Sequence, residues 1–151
     1  MTTAAELTVT SELAALRENA ALLGWSVNQI DPTTFVIGFT AQDHSKFWCK
    51  VRCDGYKSQP PAWHWFNPET DAVDQNKDIP NKGGFFHGAG VICAPWNRLA
   101  YKTVDARGPH GDWSLGDWLT NPKTGACRSL SAMALRIHHE LQSGMKGRMA
   151  A

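Results

Sequence analysis

The 151-residue sequence has almost no excess of charge, with 15 Lys and Arg against 14 Asp and Glu and a formal charge of +1. The cations are scattered rather than clustered, so nothing here would neutralise a run of phosphates, and nucleic acid is excluded as the expected partner. No apolar stretch approaches the ~20 residues of a membrane span. The start, Met1-Thr-Thr-Ala-Ala-Glu6, lacks both a basic and an apolar leader region, so no membrane association is expected and the chain reads as cytoplasmic. Internal repeats and low-complexity tracts are missing too. A Gly-rich phosphate cradle, a Gly-x-Ser-x-Gly elbow and a metal-spaced histidine pair are all absent, so neither a cofactor nor a metal is called for. His138 and His139 are adjacent on a helical stretch and point ~100° apart, which suits a solvated face rather than one shared ion.

What is present fits one globular domain spanning residues 1–151, with a core over about 9–143 and a flexible tail at 144–151. The composition is 42% apolar with only 19% charged residues, and the seven tryptophans serve packing before anything else. In a reducing compartment the four cysteines, Cys49, Cys53, Cys93 and Cys127, are expected as free thiols.

The periodicities follow the order helix, strands, irregular segment, helix. From Thr10 to Leu23, the residues Leu13, Leu16, Ala20 and Leu23 fall on one helical face, Glu12 suits a first turn, and Gly24 is a stop. Thr33 to Ala41 alternates, with Phe35, Ile37 and Phe39 on one side. Lys46 to Cys53 does the same with Phe47, Cys49, Val51 and Cys53. Cys49 and Cys53 therefore read as core, ~13 Å apart along a strand. Pro60-Pro61 leads into a short aromatic strand, Ala62 to Phe66. These three strands make a meander, and a fourth is sought in Asn67 to Gly84, which carries no strand signal. Asn67 to Gly90 reads as a long loop leading to Gly88-Ala-Gly-Val-Ile-Cys93. Ser129 to Gln142 forms the last helix, with Leu130, Ala134, Ile137 and Leu141 on one face and Gly144 beyond it. The fold class is α+β.

A helix, an antiparallel meander, a Pro-Pro-aromatic strand, an irregular segment ending in a cysteine and then helices is the element order of ubiquitin-conjugating enzymes, and the chain resembles that family over roughly Ser11 to Gln142. Tyr56-Lys-Ser-Gln-Pro60-Pro61-Ala-Trp63 is similar to the family's Tyr-Pro-x-x-Pro-Pro segment. Gly90-Val-Ile-Cys93 is similar to its Gly-x-Ile-Cys active-site segment, and Asp112-Trp-Ser-Leu115 resembles the Trp-Ser-Pro that follows the cysteine. The family's His-Pro-Asn tripeptide before the cysteine is not there, and Gly83-Gly84-Phe85 stands in its place. The resemblance is to short, divergent bacterial relatives whose operons also encode a ubiquitin-like protein and its activating enzyme, some linked to antiphage defence. It implies an N-terminal helix, a four-stranded antiparallel meander and C-terminal helices. Its implied partners are a ubiquitin-like protein, an activating-like enzyme and an acceptor protein, with no cofactor.

Under this resemblance Cys93 is the thiol that accepts the ubiquitin-like C-terminus as a thioester and passes it to an amine. A thiol needs little activation for that exchange, since a thioester has a high transfer potential. His87 is the nearest imidazole in sequence and is a candidate oxyanion donor or base. Asn97 is a candidate replacement for the missing asparagine, although Trp96-Asn-Arg also suits a turn. Asp112, with Asp117, is a candidate for orienting an acceptor lysine, while Asp112 before Trp113 also suits a helix cap. Two other readings stay open. One is a catalytically silent binding or scaffold domain of the same fold, and the other is a cysteine hydrolase, in which His87 and Asn97 would complete the site.

Overall fold

A computed structural model of the chain describes residues 1–86 and 88–150. Helix α1 (Ala4–Leu23) starts six residues before the amphipathic stretch does. The reason is a capping box: Thr3 Oγ1 accepts from the Glu6 amide, and the Glu6 carboxylate accepts from the Thr3 amide. The added turn brings Val9 into the buried row with Leu13, Leu16 and Ala20, while Leu23 stays partly exposed. Gly24 ends the helix in the left-handed region at φ 74°. Glu12 is therefore mid-helix rather than in the first turn. Its carboxylate accepts from Tyr56 Oη at 2.7 Å, Lys57 Nζ at 3.0 Å and the Leu130 amide at 2.8 Å. One acidic side chain thus ties α1 to the Tyr56-Lys57 turn and to Leu130 at the start of the last helix.

Strands β1 (Ser26–Asp31), β2 (Thr34–Thr40), β3 (Lys46–Arg52) and β4 (Ala62–Phe66) form one antiparallel sheet in the order β1-β2-β3-β4. The alternation is realised in β3, with Phe47, Cys49 and Val51 buried between partly exposed neighbours, whereas β2 is buried at every position from Phe35 to Phe39, because its second face is covered as well, the Trp48 ring lying against Gly38. The fourth strand is not in Asn67 to Gly84 but precedes the other three. β1 is an edge strand exposed at all but one of its six positions, so it carries no apolar alternation and is held by its ladder to β2. Residues 67–84 contribute only isolated bridges, Phe66 with Val73 and Pro80 with Arg148.

Helix α2 (Leu130–Leu141) is capped by Ser129 Oγ, which accepts from the Ala132 amide, and buries Leu130, Met133, Ala134, Ile137 and Leu141. It packs against α1 and β2 in one core shared with Trp63, Trp65, Trp96 and Trp118. A single long α-helix follows the cysteine segment; between them lie short 3-10 turns. His138 is half-buried instead of solvated, because its Nδ1 accepts from the Trp25 indole at 3.2 Å. The tail is not frayed either. Lys146 N donates to Asn81 O, Asn81 N to Gly147 O and Met149 N to Ile79 O, all within 2.9 Å, and the Arg148 guanidinium sits over the Phe47 ring. Ala151 lies outside the described residues. Among the described residues no helix is long and apolar enough to cross a membrane.

Candidate active site

Cys93 is carried on a short irregular segment plugged into the core by Val91 and Ile92, both essentially fully buried. Gly90 just before them adopts φ 80°, and a Cβ there would come within 2.6 Å of Ile79 Cδ1, so the approach to the cysteine requires glycine. Beyond Cys93 no helix starts; the chain bends through Pro95 and makes a single 3-10 turn at Arg98–Ala100. The Cys93 amide donates to Phe85 O and the Ala94 amide to Ile92 O. The thiol itself is half-buried, in contrast to Cys49 and Cys53, which are sealed in the core.

Two buried side chains hold this segment against the sheet. Asn97 is fully buried; its Oδ1 accepts from the amides of Trp63 and Leu99, and its Nδ2 donates to Ile92 O at 2.9 Å. Its amide is fully buried and tied to backbone on β4, just before Cys93 and just after Asn97 itself, so Asn97 acts as a structural staple. Arg98 fixes the same turn by donating to Pro60 O and to both oxygens of the Asp54 carboxylate.

The histidine beside the thiol is His110, seventeen residues downstream. His110 Nε2 is 3.2 Å from Cys93 Sγ, and its Nδ1 is 3.4 Å from Asp112 Oδ1. An ionised carboxylate only accepts, so the tautomer that donates from Nδ1 to Asp112 leaves Nε2 to accept the S–H proton. The Trp113 ring stacks flat on the imidazole, with centroids 3.5 Å apart and planes within 7°. The His110 strand segment is itself locked to Tyr101: Lys102 N donates to His110 O, His110 N to Ala100 O, and Tyr101 Oη to Pro95 O. Gly108 makes that approach possible, since a Cβ there would meet Tyr101 and Leu99 backbone atoms at 2.7–2.8 Å.

Burial pushes the Cys93 thiol above its ordinary range, and the Lys123 ammonium opposes that shift. The resting nucleophile is thus a thiol poised to hand its proton to His110 rather than a standing thiolate. Of the residues that the sequence nominated, Cys93 and Asp112 are brought together, but through His110, which was missed. Asp117 lines a ~340 Å³ hollow with Asp112, Trp113 and Lys123, a hollow that Cys93 does not line. Asn97 is removed from the chemistry, and His87 lies outside the described residues. Among the described residues no group of three or more His, Cys, Asp and Glu side chains could hold a metal ion. The signal that could have found His110 was its place two residues before Asp112, in Pro109-His-Gly-Asp-Trp113, the stretch already picked out for its Trp-Ser pair.

Fold and site together define an α+β protein with a half-buried cysteine backed by a histidine and a carboxylate. Comparison of the chain with protein-family models, with curated proteins and with solved structures finds no match.

Proposed function

We propose that the chain is a cytoplasmic conjugating enzyme of the ubiquitin-like type, in which Cys93 takes the C-terminus of a ubiquitin-like protein from an activating enzyme as a thioester and passes it to an acceptor amine. The setting is a bacterial conjugation pathway of the antiphage kind that its resemblance implies. The observation that carries this reading is the 3.2 Å contact of Cys93 Sγ with His110 Nε2, a nucleophile with a proton acceptor in place. The helix, four-stranded meander and final helix have the expected order around it. In the transfer step His110, with Asp112 behind it, takes the proton from the thiol during charging and from the incoming amine during discharge. It fills a place for which the sequence offered no His-Pro-Asn asparagine.

The Cys93-His110-Asp112 chain also favours a cysteine hydrolase as the second reading. Against hydrolysis of amides stands the use of both the Cys93 and Ala94 amides in internal hydrogen bonds, which leaves neither free to stabilise an oxyanion. A thioester, being already activated, asks less of such donors.

Incubation with an activating enzyme from the same operon, its ubiquitin-like protein and ATP should give an adduct that collapses with excess thiol. Cys93→Ser should convert it to a thiol-resistant oxyester or abolish it. An adduct of wild-type yield on Cys93→Ala protein would overturn the proposal, and rapid release of free ubiquitin-like protein without any acceptor would favour the hydrolase.

A further inference from the structure

Two consecutive residues engage the His110 ring from different directions. Asp112 meets its edge, with Oδ1 3.4 Å from Nδ1, and Trp113 covers its face, with ring centroids 3.5 Å apart and planes within 7°. When Nε2 takes the S–H proton from Cys93 the ring becomes a cation, and its charge falls between these two neighbours. The carboxylate is poorly suited to offset it: the Asp112 side chain is 78% exposed and its contact is long, so water and salt screen most of its field. The indole is better placed. A tryptophan face attracts a cation within ~6 Å of its centroid, more strongly where water is kept away, and here the two rings are in van der Waals contact with the imidazole only 23% exposed. Trp113 is itself held in place. It is half-buried on the core and meets Tyr101 edge-on at 5.7 Å, and the buried Tyr101 donates its hydroxyl to Pro95 O, two residues beyond Cys93. A backbone bridge between Tyr101 and His110 closes the set. Sliding the indole off the imidazole would therefore unpack it from the residue that also ties down the chain beyond the thiol.

We infer that Trp113 is a positioning residue for the Cys93 reaction, its π face steadying the imidazolium that His110 becomes on taking the thiol proton. This role rests on His110 accepting that proton, as proposed above, and not on what Cys93 then attacks. In the charging step the S–H bond breaks and its proton moves to Nε2. The thiolate forms a new C–S bond to the thioester carbonyl carbon, the old C–S bond breaks, and the departing thiolate takes the proton back from the ring. Charge sits on the imidazole only between these two transfers. A partner that attracts the cation more than the neutral ring therefore lowers the barrier without stabilising the resting state to the same extent. The parallel stack adds a second effect, since it fixes the ring plane and so keeps Nε2 aimed at Sγ across 3.2 Å.

The full chain is prepared with mono- to tetrafluorotryptophan at position 113 alone, by nonsense suppression; these analogues keep the shape of the indole while fluorine drains electron density from its face. Alkylation of Cys93 by iodoacetamide at neutral pH is followed by peptide mapping, with His110 intact and in a His110→Ala background. The expected result is a rate that falls stepwise along the series, by about 2- to 30-fold at its end, the range of a cation–π contact. In His110→Ala protein, where no imidazolium forms, the series should be flat. A level or rising rate with His110 intact overturns the role, and so does an equal fall in the His110→Ala background, which would make Trp113 a packing residue only. Conjugation is read separately, with a peptide thioester as acyl donor. If fluorination slows alkylation while no adduct forms on Cys93, Trp113 keeps this role and the conjugating-enzyme reading falls.

Discussion

Residues 26–66 and residues 67–129 of this chain are built on opposite principles. The first region is a ladder: four strands in sequence order, with β2 buried on both faces, burial alternating along β3 and two cysteines lost in the core. The second has, among its described residues, no regular element longer than a 3-10 turn, yet it carries Cys93, His110, Asp112 and Lys123. In the ladder, position is set by repeating backbone hydrogen bonds, and any one side chain matters through its volume. In the irregular region position is set by a few polar side chains and glycines, each of which does a job that no neighbour duplicates. The lesson is that order in the second region is local and specific, and that stability and chemistry are carried there by different residues.

That contrast can be broken most severely at Asn97. Asn97→Leu leaves the Trp63 and Leu99 amides and Ile92 O without their buried partner. At about 1–3 kcal/mol for each unsatisfied buried group, the loss should be on the order of 3 kcal/mol or more, read as a lower urea midpoint. A wild-type midpoint would show that the segment is held by packing alone. Next comes Gly108→Ala, where the obstacle is Tyr101 and Leu99 backbone that cannot rotate away. A cost of about 1–3 kcal/mol is expected, together with slower acylation of Cys93 as His110 is displaced. Glu12→Gln keeps the volume but sets an amide against Lys57 Nζ and weakens the bonds to Tyr56 and Leu130. Thermal unfolding should report a loss of about 1–2 kcal/mol, and an unchanged midpoint would show that the three bonds to this carboxylate add nothing to stability.

The ladder has its own pH signature. Burial first of all pushes Cys53 up to about 12 and Cys49 well above its ordinary value. Unfolded thiols ionise from about pH 8.5, so the folded state holds protons that the unfolded state releases. Stability from these groups is complete below that pH and is lost progressively as pH rises toward 12. Cys53→Ala should flatten the alkaline limb of a stability-against-pH curve; an unchanged limb would place its cause elsewhere. Smallest for stability is His110→Ala, at less than about 1 kcal/mol for a partly exposed ring. Its effect is expected in rate instead. Acylation of Cys93 by a thioester at neutral pH should slow by ~100-fold, the lower end of what a positioned proton acceptor contributes. Equal rates would remove His110 from the mechanism.

Alternation at period two was enough to locate β2 and β3, and the helical faces around Leu13 and Leu130 were enough for α1 and α2; local pattern and burial coincide in β3 and the helices, whereas in β2 the second face, with Val36, is buried as well. The same reading passed over β1, whose polar side chains face water and whose strand geometry comes from its neighbour. It also passed over the tail, whose hydrogen-bond partners lie more than sixty residues earlier at Ile79 and Asn81. Asn97 looked like chemistry and is architecture.

By itself the sequence determined the α+β class, the order of its main elements, the burial of Cys49 and Cys53 and the setting of Cys93 after a glycine-rich approach. Only the tertiary structure decided which imidazole meets the thiol. Cys93 and His110 sit on irregular segments with no shared period, and their 3.2 Å contact is produced by Asn97, Tyr101 and Gly108 closing two loops onto one sheet edge, long-range constraints that leave no repeating trace along the chain.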